Sequence, residues 1–190
     1  MKSWLISIRI FLIMTILTGC LYPLLVTGIA SVLFAQESKG SLIKEDGIVK
    51  GSSLIGQKFS GEEYFWPRPS ATDYSTSPAG GSNFALTSKI LSDSVIFRGE
   101  RFRRVNRLPA RLPVPSEMLF ASGSGLDPHI SLYSALIQFN RVCDKRHFSI
   151  RQRQILLEKI SDLNEPPQFF LFGEPRINVL LLNLELNKIR

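Results

Sequence analysis

From Ile10 to Gln36 the chain carries no charge, and Ile10–Ala35 is almost wholly apolar. It lacks the polar stripe that a helix lying on a soluble core normally shows. At about 1.5 Å per residue, a helix of that length reaches about 39 Å, enough to cross a hydrocarbon layer of about 30 Å with room for tilt. The pattern therefore predicts three segments: a short polar end over 1–9, a transmembrane helix over 10–35, and a polar domain over 36–190. A cleaved signal peptide is the first competing reading, but its apolar region runs to about 7–15 residues and ends in a small-x-small site, which is not obvious before Gln36.

A second competitor is a lipid anchor. Leu17-Thr18-Gly19-Cys20 is similar to a bacterial lipobox with Cys20 as the lipidated residue, which would make the chain an exported, lipid-anchored binding protein. Leu21–Ala35 would then leave an apolar tail where a lipoprotein carries a polar tether, so the retained span is preferred. Within the span Thr15, Gly19, Pro23, Thr27 and Ser31 recur every four residues on one slowly drifting face. Small residues let membrane helices approach closely, so this face is read as packing on a protein partner.

Beyond the span the pattern changes twice. Residues 37–115 are rich in Gly, Ser, Pro and Asn, with short strands expected at Leu42–Ile43, Ile48–Val49 and Tyr64–Trp66. A helix is expected from Leu86 through Arg104, with Ile90, Leu91, Val95 and Phe97 as its apolar face and Gly99 as an interruption. Farther on, Asp127-Pro128 reads as a helix start and Lys145 as that helix's end, burying Leu132, Leu136, Phe139 and Val142. Ser149-Ile150-Arg151-Gln152 is a capping box opening a second helix, closed by Pro166 and Pro167. Phe169–Phe172 reads as a short buried strand, and Val179–Lys188 as a last amphipathic helix. The order predicts an α+β domain.

Charge sets the orientation. Lys2 and Arg9 flank the short end, so the positive-inside rule puts the N-terminus in the cytoplasm and the mixed α/β domain outside it, on a plasma membrane or inner membrane. The whole chain is basic, 23 Lys+Arg against 16 Asp+Glu, but large domains translocate regardless of charge. The two cysteines, Cys20 in the span and Cys143 in the domain, are too far apart in character to pair. With His129 and His147 the only histidines, no zinc ligand set of the usual spacing is present, and no metal is expected.

Four constellations invite chemistry. Ser122-Gly123-Ser124-Gly125, ahead of the expected helix start, can present backbone N–H groups to an anion, and these four are the weak candidates for nucleotide contact; a plain turn and helix cap is the preferred alternative. It is neither a Walker loop nor a dinucleotide fingerprint. Ser122 or Ser124 with Asp127 and His129 supplies triad residue types, without an elbow motif or a spacing that would place them. Tyr64–Ala71 packs three aromatics beside Arg68, fitting either a contact surface or a core strand whose arginine meets a carboxylate. The six arginines from Arg98 to Arg111 suit an acidic partner or anionic lipid, or else a solvated helix face; an outward domain is a poor partner for nucleic acid, and none is expected. At Gly173–Val179, Glu174 and Arg176 can pair, and Asn178 can cap the last helix.

Together these stretches resemble the C subunit of the Kdp potassium-transporting ATPase. The similarity runs through Thr18-Gly19, Tyr22-Pro23, Gly51-Ser52, Leu54-Ile55-Gly56-Gln57, Arg68-Pro69-Ser70-Ala71 and Gly80-Gly81-Ser82-Asn83. It is strongest at Ser122–Ser131, including Asp127, Pro128 and His129, and at Gly173–Val179, including Glu174, Arg176 and Asn178. Departures lie at Phe34-Ala35, where Phe-Pro is usual, at Ser116–Phe120 and in the arginine-rich region. The resemblance implies a non-catalytic, single-span subunit of an ATP-driven, high-affinity potassium pump, joined to a channel-like potassium-translocating subunit and an ATP-hydrolysing P-type subunit. It implies a role in assembly and in raising the pump's affinity for ATP, with ATP acting at the partner subunit. An outward domain cannot touch cytoplasmic ATP, so any such effect must be an allosteric coupling, typically about 1–3 kcal/mol.

Overall fold

The computed structural model describes residues 2–189; Met1, Arg190 and the side chain of Lys2 lie outside the described residues. The chain divides into two compact units, Met1–Ile43 and Lys44–Arg190.

The first unit consists mainly of one long helix, followed by a short 3-10 turn at Glu37–Lys39. α1 (Lys2–Ile16) passes through a π turn (Leu17–Leu21) into α2 (Tyr22–Leu33). Residues Ser3–Leu33 have a mean hydropathy of 2.1 in their most apolar stretch and bury none of it within the protein, which is long and apolar enough to cross a membrane. Pro23 explains the π turn. It has no N–H to give Gly19, and its ring would press on that carbonyl. The helix widens instead, and the Tyr22 N–H bonds to the Leu17 carbonyl five residues back. The hydroxyls of Thr18 and Ser31 donate to the carbonyls of Met14 and Thr27, both at 2.7 Å, so neither is left unpaired in an apolar surrounding.

Strands β1 (Leu42–Glu45) and β2 (Ile48–Ser52) follow, joined at Asp46-Gly47, where both residues take positive φ. The domain proper contains α3 (Lys89–Asn106), β3 (His129–Ile130), α4 (Leu132–Lys145), α5 (Ile150–Asp162), β4 (Asn164–Glu165), β5 (Arg176–Asn178) and α6 (Val179–Lys188). β5 lies between β3 and β4 in an antiparallel sheet, with Ile177 opposite both Ile130 and Asn164. Fully buried Ile177, Leu182, Leu186, Val142, Leu156 and Phe65 form the centre of the core. The outcome is the expected mixed α/β domain, with very small sheets.

Several expectations need correction. α4 begins at Leu132, not at Asp127. Ser131 caps it by accepting from the Ser134 N–H at 3.1 Å, while residues 129–130 leave as a strand. Of its expected inward residues Val142 is buried and Leu132 and Phe139 pack partly buried against the core, but Leu136 is exposed, and the interior also takes in Ser134, Ala135, Gln138, Arg141 and Cys143. α3 runs uninterrupted through Gly99, where a side chain would come within 3.3 Å of Leu119. Its inner residues are Phe102 and Asn106, whereas Ile90 and Phe97 are exposed. The capping box at Ser149 and Gln152 is present as read. Phe169–Phe172 is not a buried strand but an exposed turn.

Candidate functional site

Tyr64–Trp66, expected as a strand, belongs to no strand: Tyr64 lies at a bend and Phe65 and Trp66 are irregular. Two side-chain amides take the strand's place. Asn183 of α6 accepts from the Phe65 N–H at 2.9 Å and donates to the Phe65 carbonyl at 3.0 Å. Gln138 of α4 does the same for Trp66, at 2.8 and 3.2 Å. Both amides are essentially fully buried, so each reciprocal pair removes two otherwise unsatisfied backbone groups from a dry interior.

Arg141 completes this layer. Its guanidinium donates to Asn106 Oδ1 at 2.8 Å, Gln138 Oε1 at 2.7 Å, the Tyr64 carbonyl at 2.9 Å and the Glu62 carbonyl, and sits 4.8 Å from the Trp66 ring centre. Burial lowers its pKa to about 10 against the opposing pull of Glu62 and Glu63, so it stays charged at neutral pH. Arg101 lies over the same indole at 4.6 Å. Other arginines of the basic run fasten loops: Arg98 reaches the Leu119 carbonyl at 2.9 Å and Arg103 the Ala110 carbonyl at 3.1 Å.

From this layer the chain leads to Arg68, which does meet a carboxylate. Its Nη1 donates to Asp127 Oδ2 at 2.7 Å, while its Nε is buried without a hydrogen-bond partner. Asp127 Oδ1 accepts from the His129 N–H at 3.0 Å and lies 3.4 Å from His129 Nδ1. Burial pushes the Asp127 carboxyl up, but the hydrogen bonds from His129 and Arg68, with the arginine's charge, outweigh it and hold the pKa at about 2. Asp127 is thus an anchor between Arg68 and the β3 entry, not a helix cap. Pro128 gives its carbonyl to the Val179 N–H at 2.9 Å, tying β3 to the start of α6.

A polar cleft opens beside this pair, lined by Arg68, Glu117, Asp127, His129, Ser131, Glu174 and Arg176. Glu117 accepts from Ser131 N at 3.0 Å, from Ser131 Oγ at 2.6 Å and from Ser134 Oγ, fixing the first turn of α4. Arg176 pairs with Glu165 on the adjoining strand at 3.1 Å, not with Glu174 as expected. Glu165 and Arg176 are cross-strand neighbours directly opposite each other, whereas Glu174 lies outside the strand. Asn178 does cap α6, accepting from Leu180 N at 3.1 Å and Leu181 N at 3.2 Å, and its amide donates to the Ser53 carbonyl at 2.7 Å.

Ser122–Gly125 is separated from α4 by the irregular stretch Leu126–Pro128 and strand β3, so it does not sit on a helix N-terminus. Two of its four N–H groups are engaged by the protein itself: Ser122 N donates to the Pro69 carbonyl at 3.1 Å, and Gly125 N to the Ser122 carbonyl at 3.2 Å. Gly125 has φ +71, and a Cβ there would stand 2.7 Å from the Gly80 carbonyl. The Gly56 N–H donates to the Leu126 carbonyl at 2.7 Å. The loop is a junction where Gly56, Gly80-Gly81 and Pro69-Ser70 meet. Ser122 is only 3% exposed, which sets it apart from a substrate-accessible nucleophile. Sequence reasoning missed Gln138, Arg141, Asn183 and Glu117; the available signal was polar residues at inward helical positions, as in the Asn183 of Leu-Leu-Leu-Asn-Leu.

The family model described as K+-transporting ATPase, c chain, matches residues 4–188. The chain is 46% identical over 186 residues to a protein of Photorhabdus laumondii, covering 96% of this chain and 94% of the other. It is 48% identical over 182 residues to one of Leptospira interrogans, covering 96% and 92%, and 44% identical over 186 residues to one of Dechloromonas aromatica, covering 96% and 95%. Each of the three is named a potassium-transporting ATPase KdpC subunit. With its apolar N-terminal helix and its mixed domain locked by the Arg68–Asp127 and Asn178 contacts, the chain belongs to the K+-transporting ATPase c-chain family.

Proposed function

We propose that this subunit serves potassium uptake without hydrolysing ATP itself, by joining a channel-like potassium-translocating subunit to a P-type ATP-hydrolysing subunit and raising the latter's affinity for ATP. The observation that carries this reading is where the family-like residues go. Arg68, Asp127, His129 and Asn178 are engaged in holding the domain's own segments together, as expected of a rigid docking body. Lys2 and Arg9 favour a cytoplasmic N-terminus, and the domain then lies outside the membrane. ATP bound in the cytoplasm is beyond reach of Ser122–Gly125 in that arrangement, so the effect on ATP passes through the partner subunits as coupling.

The span contributes a second contact. Thr15, Gly19, Pro23, Thr27 and Ser31 would drift about 40° at each four-residue step on a regular α-helix. The π turn at Leu17–Leu21 rotates less per residue and takes back part of that drift, keeping the small residues toward one side. Close packing against a membrane helix of a partner follows from that face. Cys20 lies inside the π turn of this continuous helix; an intact Met1 end by mass spectrometry supports the span, and diacylglyceryl on Cys20 supports the lipid-anchored alternative.

Purification of the full chain in mild detergent tests the assembly: two larger membrane subunits and potassium-stimulated ATPase activity are expected to accompany it. Its isolation alone contradicts the reading. For topology, Cys143 is an unsuitable reporter because it is buried. Ser38→Cys in a Cys20→Ser chain is exposed in its place. Its labelling by an impermeant maleimide from the cytoplasmic side would overturn both the outward domain and the coupling argument.

A further inference from the structure

We infer that the Phe169–Phe172 turn is a preformed plug that seats in an apolar pocket of another subunit of the same pump. The turn is held shut at its base: Gln168 N–H donates to the Phe172 carbonyl at 2.8 Å, Phe172 N–H to the Gln168 carbonyl at 2.9 Å, and Leu171 N–H to that same carbonyl at 3.1 Å. Pro166-Pro167 stiffens the approach, and Gly173, at φ +84, lets the chain turn away at the exit. The turn then presents Phe169, Phe170 and Leu171 at its apex and Phe172 at its base, at 76, 84, 80 and 67% exposure.

The residue choice at the apex runs against the turn's own needs. Phe169 and Phe170 both have positive φ, at +54 and +58. Turns with two such central residues take Asn, Asp or Gly, because bulky side chains are strained there. A sequence that accepts this strain to display two phenylalanines breaks a local rule at a position where burial gives no return, which points to a binding role. The occupant is a shaped protein pocket and not fluid lipid. A bilayer accepts apolar side chains in any arrangement and gains little from a rigid turn, whereas a complementary pocket gains from preorganisation. The charges nearest the turn on the flanking strands, Glu165 and Arg176, neutralise each other at 3.1 Å, and no charge lies from Pro166 to Gly173, so the matching surface is apolar.

The inference rests on assembly with the other pump subunits, and the test separates the two. Phe170→p-benzoylphenylalanine in the full chain, made together with those subunits, is irradiated in native membranes; an adduct with another pump subunit is expected. In parallel, Phe169→Asn/Phe170→Gly keeps the turn and relaxes its backbone. This variant is expected to unfold no earlier than the native chain, yet to co-purify with the pump about tenfold less. Adducts with lipid only, no adduct, or undiminished co-purification of the double variant would overturn the plug alone. Failure of the native chain to co-purify would overturn assembly and plug together.

Discussion

Gln138 and Trp66 stand to each other as two paired strands do, although neither belongs to a strand: the side-chain amide of one closes both hydrogen bonds with the backbone of the other. Arg141 then uses the same amide oxygen and the same indole face. One amide therefore organises the Trp66 backbone, the buried arginine and the inner face of α4.

Gln138→Leu is close in size but leaves the Trp66 N–H and carbonyl buried without partners and takes an acceptor from Arg141. Its expected loss is about 3 kcal/mol, read from denaturant unfolding of the full chain in detergent. A loss below about 1 kcal/mol would show that the segment finds other partners.

Asp127 gives the domain a pH dependence of definite sign. Its pKa is about 2 in the folded protein against an ordinary 3.8, so the unfolded chain binds the proton more readily. The stabilisation is full above pH 4 and is lost as pH falls toward 2. It amounts to about 2 kcal/mol. Asp127→Asn should flatten the stability profile between pH 4 and 2; an unchanged slope assigns it to other carboxyls.

Gly125→Ala places a methyl group 2.7 Å from the Gly80 carbonyl on a backbone at φ +71. We expect a loss of about 2–4 kcal/mol. A Cβ at Gly123 meets nothing within 4 Å, so Gly123→Ala should change stability by less than about 0.5 kcal/mol. Equal effects at the two glycines would contradict the junction assigned to Gly125.

Cys143 is fully buried, and burial, with Asp144 adding to it against Arg153, pushes its thiol up to about 11. In a Cys20→Ser chain it should resist maleimide at neutral pH until the domain unfolds. Labelling that tracks the unfolding transition is expected; rapid labelling of the native chain is not.

The parts of the fold legible in the sequence are those fixed by local chemistry. Serine hydroxyls and Gln152 announced the α5 capping box, Asn178 the start of α6, and the uncharged run the long apolar helix. What depended on distant partners was misread. Asp127 looked like a cap because proline followed it, but Arg68, far back in the chain, claims its carboxylate. Glu174 looked like the partner of Arg176 until β4 brought Glu165 opposite. Gln138 and Asn183 drew no reading at all, because nothing local shows that the distant Phe65-Trp66 backbone needs amides there. The Phe169–Phe172 run has the composition of a core strand, and composition alone cannot tell an interior from an interface.

The central claim is that this subunit changes how the pump binds ATP without reaching the nucleotide itself. The ATP concentration giving half-maximal hydrolysis, measured for the pump assembled with and without the chain, tests it most directly. The account predicts a value lower with the chain by about 5- to 150-fold; the same value in both preparations would contradict it.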